Sequence, residues 1–93
     1  MKRCFRIKGR VQGVGFRYWL VHNIKKIGNI SGYVCNHTDG DVIVYASGKD
    51  EELNKLYILL HKGPIFARVN EVIYDENCSI YFPDIQNGVF KRL

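Results

Sequence analysis

The chain has 93 residues, a length that favours one small domain, and we expect residues 1–93 to form it. With 46% hydrophobic residues it can bury a core, whereas its longest apolar runs are only a few residues long, which argues against a membrane span. The net charge of +5 is compatible with phosphorylated metabolites, nucleic acid or acidic surfaces, but the basic residues form no long run, which weakens the case for nucleic acid.

The N-terminal residues and the cysteines bear on location. Residues 1–3 are followed by alternating polar residues instead of an apolar segment, which argues against a signal peptide and for the cytoplasm. Cys4, Cys35 and Cys78 are odd in number and widely spaced, and they form no C-x-x-C pair, so we expect no zinc or redox motif. Reduced thiols are the preferred interpretation over a structural disulfide, although the sequence does not establish whether any two pair.

The first half of the chain predicts a strand, a helix and a hairpin. Alternating polarity predicts a strand at Lys2–Arg10. A helix is predicted at Phe16–Gly28, with Gly28 as its stop, from an apolar stripe made of Phe16, Leu20, Ile24 and Ile27. Strands are predicted at Ile30–Asn36 and Asp41–Ser47, joined by a turn that contains Asp-Gly.

The second half predicts another helix and strand. Asp50 or a neighbour caps the helix and Gly63-Pro64 ends it. Its predicted buried stripe consists of Leu53, Leu56, Tyr57 and Leu60. A fourth strand is predicted at Phe66–Asp75, and the tail contains only short strand-like pieces at 80–82 and 89–90.

This order, β-α-β-β-α-β, predicts an α+β, ferredoxin-like two-layer sandwich in which two helices cover one face of an antiparallel sheet. The first strand is central in that topology. The segment that follows it therefore lies at one pole of the sheet.

That segment is glycine-rich. Residues 9–17 read GRVQGVGFR and hold three glycines in their first seven positions. Glycines let backbone N–H groups converge on an anion, the next helix adds its unpaired N–H groups, and the Arg17 guanidinium fits phosphate oxygens. Two interpretations stand at this point: a phosphate cradle at residues 11–17, or an ordinary tight connection with Arg17 in solvent.

Asn36 ends the second predicted strand and is the best polar partner for such a cradle. An uncharged amide can donate and accept at once, so it can orient a water molecule without repelling phosphate. The alternative is a turn residue that bonds its own backbone.

Three ordered blocks make the chain resemble the acylphosphatase family. Residues 9–17 match its phosphate-binding signature. Residues 32–36 (GYVCN), followed by DGDV at 39–42, resemble its second signature, usually Trp-Val-x-Asn. Residues 63–72 (GPIFARVNEV) resemble its third block, Gly-Pro-x-x-Ala-x-Val-x-x-Val.

The resemblance implies hydrolysis of acyl phosphates to a carboxylate and inorganic phosphate, with no metal and no cofactor. The family's catalytic arginine and asparagine fall on Arg17 and Asn36. Phosphate, or another anion, is then bound by Arg17 and by the backbone of the cradle, namely Val11, Gln12, Gly13, Val14, Gly15 and Phe16. The implied protein is a cytoplasmic monomer that acts on a small molecule, with no membrane or nucleic-acid partner; the physiological substrate is not specified.

The chain departs from the family pattern around Asn36. Tyr33 replaces the usual Trp, Cys35 stands where Arg is common, and His37 follows Asn36 as either a general base or, as we favour, a turn residue. Residues 90–93 only faintly resemble the usual ending. Two other functions are compatible with the predicted fold: an RNA-binding module, disfavoured because its aromatic signature is absent, and a relative of the acylphosphatase-like domain of larger carbamoyl-transfer proteins.

Overall fold

The computed structural model describes residues 1–75, 78 and 82–93. Its elements are, in order, β1 (Lys2–Arg10), α1 (Phe16–Ile27), β2 (Ser31–Asn36), β3 (Val42–Ser47), α2 (Asp50–Lys62), β4 (Arg68–Tyr74) and β5 (Phe90–Arg92). The β-α-β-β-α-β order is confirmed, and the bounds of the first four strands and of α1 agree with the sequence prediction to within two residues.

The strands form one sheet in the order β4-β1-β3-β2-β5. β1, β2, β3 and β4 pair antiparallel, as predicted, with Phe5 of β1 opposite both Val44 and Tyr74. β5 pairs parallel to β2, so the complete sheet is mixed. β1 lies between β3 and β4, and its C-terminal end leads into the cradle.

Both helices pack on one face of the sheet. The buried side chains there come from the sheet (Phe5, Ile7, Val34, Val42, Val44 and Ala46) and from the helices (Phe16, Leu20, Ile24, Leu53, Leu56 and Leu60). Burial of each Val, Leu, Ile or Phe side chain in this set stabilises the fold by roughly 1.5–3 kcal/mol. The predicted burial of Tyr57 is wrong: it is 39% exposed, although its ring contacts Phe5 at a centroid distance of 5.8 Å.

The start of α2 also differs from the prediction. Lys49 occupies the N-cap position and makes no side-chain cap bond, while Asp50 is the first helical residue. The Asp50 carboxylate instead pairs with Arg3 at 3.0 Å. The helix therefore begins with three acidic residues, Asp50, Glu51 and Glu52, which suit the positive end of its dipole.

The C-terminal segment covers the other face of the sheet. The Phe82 ring stacks on Tyr33 and Tyr45, at centroid distances of 6.1 and 5.4 Å, and the Tyr33 hydroxyl donates to the Asp84 carbonyl at 2.9 Å. Phe82 lies outside any strand, and the rest of the predicted piece 80–82 lies outside the described residues.

The cysteines differ from the expectation of reduced thiols. Cys4 and Cys78 form a disulfide that joins β1 to the chain beyond β4, whereas Cys35 is free. Among the residues described, no helix has the length and apolar character needed to cross a membrane.

Candidate active site

The cradle backbone depends on two glycines with positive φ. Gly13 has φ 72° and Gly15 has φ 80°, in the left-handed region that other L-residues rarely adopt. A Cβ atom at either position would meet nothing within 4 Å. The conformation of the loop, and not lack of space, therefore requires glycine there.

The start of α1 is open to an anion. Gly15 occupies the N-cap position with no side-chain cap bond, and the first turn holds no acidic residue. The first backbone bond of the helix runs from Trp19 N to Gly15 O at 3.0 Å. The earlier N–H groups of the helix have no intrahelical acceptor, and the positive end of the dipole is not neutralised, in contrast to α2.

A pocket of about 190 Å³ contains both proposed catalytic side chains. It is lined by Val11, Gly13, Gly15, Phe16, Arg17, Tyr18 and Asn36. Gln12 and Val14 of the cradle do not line it: the Gln12 side chain reaches the turn between β2 and β3, and Val14 packs against the core. A larger depression of about 610 Å³, lined by residues such as Met1 and Gly48, contains none of the cradle and lies at the other end of the strands.

Arg17 is half-buried, and its guanidinium is held by the residue that follows β5. Its Nη1 donates to the Leu93 carbonyl oxygen at 2.7 Å, and the Leu93 N–H in turn donates to Val34 O at 2.8 Å. The interpretation of Arg17 as a solvent-facing residue is therefore not supported. Sequence reasoning missed Leu93, because nothing in the local pattern indicates that the tail returns to the cradle.

Tyr18 is a second residue of the pocket that the sequence did not indicate. It is 65% exposed, and the Arg92 guanidinium lies 3.8 Å from its ring centroid. The available signal was its position: Tyr18 follows Arg17 in the first turn of α1 and lies off the apolar stripe, so its ring has no core to fill.

Asn36 is exposed at the end of β2, and its side chain makes no hydrogen bond to any residue in the described part of the chain. Asp39 stabilises the turn (residues 37–41), because its Oδ1 accepts a hydrogen bond from Asp41 N at 2.9 Å. The Asn36 amide is therefore free to bind water, which favours the predicted role over that of a turn residue.

The residues on either side of Asn36 are directed elsewhere. His37 Nδ1 lies 3.0 Å from Asp39 Oδ1, and His37 does not line the pocket. Burial raises the pKa of the Cys35 thiol, an effect that the nearby Arg17 partly offsets. Neither side chain is placed to act as a base in the pocket.

Within the described ranges, 1–75, 78 and 82–93, no group of three His, Cys, Asp or Glu side chains is arranged to hold a metal ion. The polar groups of the pocket's described lining residues are backbone donors, the Arg17 guanidinium, the Asn36 amide and the Tyr18 hydroxyl. This set can bind a phosphoryl group and direct a water molecule.

Fold and pocket together define a ferredoxin-like α+β fold with a candidate anion site between β1 and α1. Residues 3–82 match the family model described as Acylphosphatase, and the chain belongs to this family.

Relatives and a solved structure agree with the family assignment. The chain is 46% identical to an acylphosphatase of Koribacter versatilis over 70 residues, which make up 75% of this chain and 63% of that protein, just under two thirds of its length. It is 47% identical to an acylphosphatase of Vibrio cholerae serotype O1 over 73 residues, 76% of this chain and 79% of that protein. The crystal structure of acylphosphatase from Bacillus subtilis superposes with a TM-score of 0.83 at 28% identity, covering 99% of this chain and 97% of that one.

Proposed function

We propose that the protein is an acylphosphatase that hydrolyses the carboxyl–phosphate bond of acyl phosphates to a carboxylate and inorganic phosphate. The observation that carries the proposal is the shared pocket: Arg17, the uncapped start of α1 and the Asn36 amide, which has no hydrogen-bond partner among the described residues, all border one space of about 190 Å³.

Each part has a distinct role in the proposed reaction. The cradle N–H groups and Arg17 bind the phosphoryl oxygens and stabilise the charge that develops on them. Asn36 orients a water molecule, whose oxygen bonds to phosphorus as the bond to the carboxylate oxygen breaks. The water proton passes to a phosphoryl oxygen. The carboxylate is a stable leaving group, so no protein acid is needed beside it.

Two substitutions separate binding from chemistry. Arg17→Ala is expected to abolish both turnover of benzoyl phosphate and competitive inhibition by phosphate, because among the described residues Arg17 is the one side-chain cation that lines the pocket. Asn36→Ala is expected to lose turnover while the inhibition constant for phosphate stays near that of wild type. Initial rates are measured in the presence of a chelator.

Arg68→Ala and Asn54→Ala are matched controls, since both residues lie outside the pocket and both variants should retain activity. An inactive wild type, or full activity in Asn36→Ala, would contradict the proposal.

The structure offers little support for an RNA-binding module. Such a module needs exposed aromatic rings on the sheet face, but the faces of Tyr33 and Tyr45 are already stacked against Phe82. Gel retardation of RNA with a steep salt dependence would favour that alternative.

We further propose that residues 1–93 form one domain that acts as a monomer in the cytoplasm. The Cys4–Cys78 disulfide counts against the cytoplasmic part, since disulfides are uncommon there. Light scattering measures the oligomeric state, and alkylation of thiols before cell lysis shows whether Cys4 and Cys78 are paired in the cell.

A further inference from the structure

We propose that Gln12 is a positioning residue that holds the turn beside Asn36 against the cradle, and so sets the place of the Asn36 amide relative to bound phosphate. The catalytic part of this inference rests on the proposed function. The contact itself does not.

The Gln12 side chain uses both of its donors on the β2–β3 turn. Nε2 donates to His37 O at 2.6 Å and to Asp41 O at 2.9 Å. A carboxamide nitrogen carries two hydrogens, so its donor capacity is filled. His37 N donates to Asp41 O at 2.8 Å, which makes these two residues the ones that close the turn.

The contact lies next to the water-orienting residue. Asn36 directly precedes His37 and pairs with Val42 across the hairpin, while Gln12 bonds to the residues adjacent to both of them. The side chain of Asn36 has no hydrogen-bond partner among the described residues, so only its backbone fixes its position. Gln12 restrains that backbone from the cradle side.

Gln12 also belongs to the cradle. Its neighbours Val11 and Gly13 both line the pocket, and Val11 is buried. One residue therefore links the part that binds phosphate to the part that directs water. A displacement of about 1 Å at such a point can cost about 100-fold in rate.

The turn has a second anchor that does not pass through Gln12. The Asp41 carboxylate is buried and accepts from Arg6 Nη1 at 2.8 Å and from Lys8 Nζ at 2.9 Å. Loss of the Gln12 amide should therefore leave the hairpin folded and change only its alignment with the cradle.

Gln12→Leu tests the proposal because it keeps a similar volume and removes both donors. We expect kcat for benzoyl phosphate to fall on the order of 100-fold while the inhibition constant for phosphate stays near that of wild type. Added to Asn36→Ala, the same change should lower the small residual rate of that variant little further, since the residue that Gln12 positions is absent. Gln86→Leu, at an exposed position of the C-terminal segment, is the matched control and should leave both constants unchanged.

Two kinetic results would overturn the inference. Equal losses of kcat and phosphate affinity would make Gln12 part of the binding surface instead, and an undiminished loss in the Asn36→Ala background would uncouple it from Asn36. Hydrogen exchange at the His37 amide, expected to quicken in Gln12→Leu, tests the contact without activity. An inactive wild type would therefore refute the proposed function and leave this contact testable, whereas unchanged exchange would refute the contact alone.

Discussion

Asp39 shows how one exposed carboxylate organises the turn that carries Asn36. Its Oδ1 accepts from the Asp41 N–H, and its Oδ2 accepts from Arg6 Nη1 at 2.8 Å. The hydrogen bond from the Asp41 backbone, assisted by His37 and Arg6, lowers the pKa of Asp39 to about 2. Because this is below the usual value of about 3.9, the folded state favours the charged carboxylate.

The depressed pKa of Asp39 predicts a pH-dependent contribution to stability. A carboxylate with a lowered pKa in the folded state stabilises the fold above its unfolded pKa of about 4, and this contribution disappears as the pH falls to about 2. Asp39→Asn keeps an oxygen acceptor and removes the charge. We expect the variant to have a lower urea midpoint than wild type near neutral pH, and the two midpoints to converge below about pH 2.

The quantity to measure is the difference in urea midpoint between wild type and Asp39→Asn at each pH, because the other carboxylates titrate in both proteins. A difference that grows towards acid pH would contradict the direction of the pKa shift.

The proposed catalytic pair could be named from local sequence together with the family resemblance, whereas the second layer of the site could not. Arg17 follows a glycine pattern and Asn36 ends a strand, so both can be placed from neighbouring residues. The Gln12 amide donates hydrogen bonds to carbonyl groups 25 and 29 positions away in the sequence, and the Arg17 guanidinium donates to the carbonyl of Leu93, 76 positions away. Contacts at such separations depend on how the strands are aligned, which periodicity does not specify.

The two helices begin in opposite electrostatic environments. α2 has three acidic residues in its first turn and α1 has none. Acidic side chains at a helix N-terminus stabilise the helix by about 0.3–1 kcal/mol but compete with an anion for the same donors and field. The absence of such residues from α1 is therefore consistent with a site reserved for phosphate.

Tyr18→Glu tests this difference directly. The substitution puts a carboxylate in the first turn of α1, beside the pocket. We expect phosphate binding to weaken by roughly 1 kcal/mol or more, the Coulomb energy of two unit charges about 4 Å apart in water, while the helix is slightly stabilised.

Tyr18→Gln is the control for loss of the ring. The inhibition constant for phosphate is measured for Tyr18→Glu and Tyr18→Gln at low and at high salt. Because salt screens the added charge, the difference between the two constants should be smaller at high salt. Equal affinities in Glu and Gln variants would show that the helix terminus does not contribute to anion binding.

The regular elements of residues 1–75 were predictable, whereas in the tail only the strand-like piece at 89–90 was, and β5 (Phe90–Arg92) includes part of it. Alternation and helical stripes are local, so strands β1 to β4 and both helices followed from them. β5 has three residues and pairs in parallel with a strand more than fifty positions earlier, a partner that its short local pattern does not specify. Tyr33 stands where the family usually has Trp, and its hydroxyl donates to the Asp84 carbonyl oxygen of the tail. This contact, too, could not be predicted from local sequence.

At the scale of the whole molecule, the Cys4–Cys78 disulfide links two distant parts of the chain. It spans a sequence separation of 74 and joins β1, an interior strand of the sheet, to the segment that covers the outer face. Cys4, Tyr33, Ile43 and Phe82 are buried together there, in a cluster separate from the core beneath the helices. The disulfide therefore joins two parts of one apolar cluster, at a position where sheet and tail meet.

Removal of this disulfide should destabilise the protein without dismantling the active site. Cross-linking so long a loop restricts the unfolded chain, and loss of such a bond typically costs about 2–4 kcal/mol. We expect the free energy of unfolding of the Cys4→Ala/Cys78→Ala double variant, measured in urea, to be lower than that of wild type by this amount, and dithiothreitol to shift the wild type to the same midpoint.

Cys35→Ala, which breaks no disulfide, is the control for thiol removal. Phosphate binding should persist in the double variant at low temperature, because the cradle and α1 are held by the other core. A midpoint in the double variant equal to that of wild type would mean that the stacked contacts of Phe82, and not the covalent bond, keep the tail on the sheet.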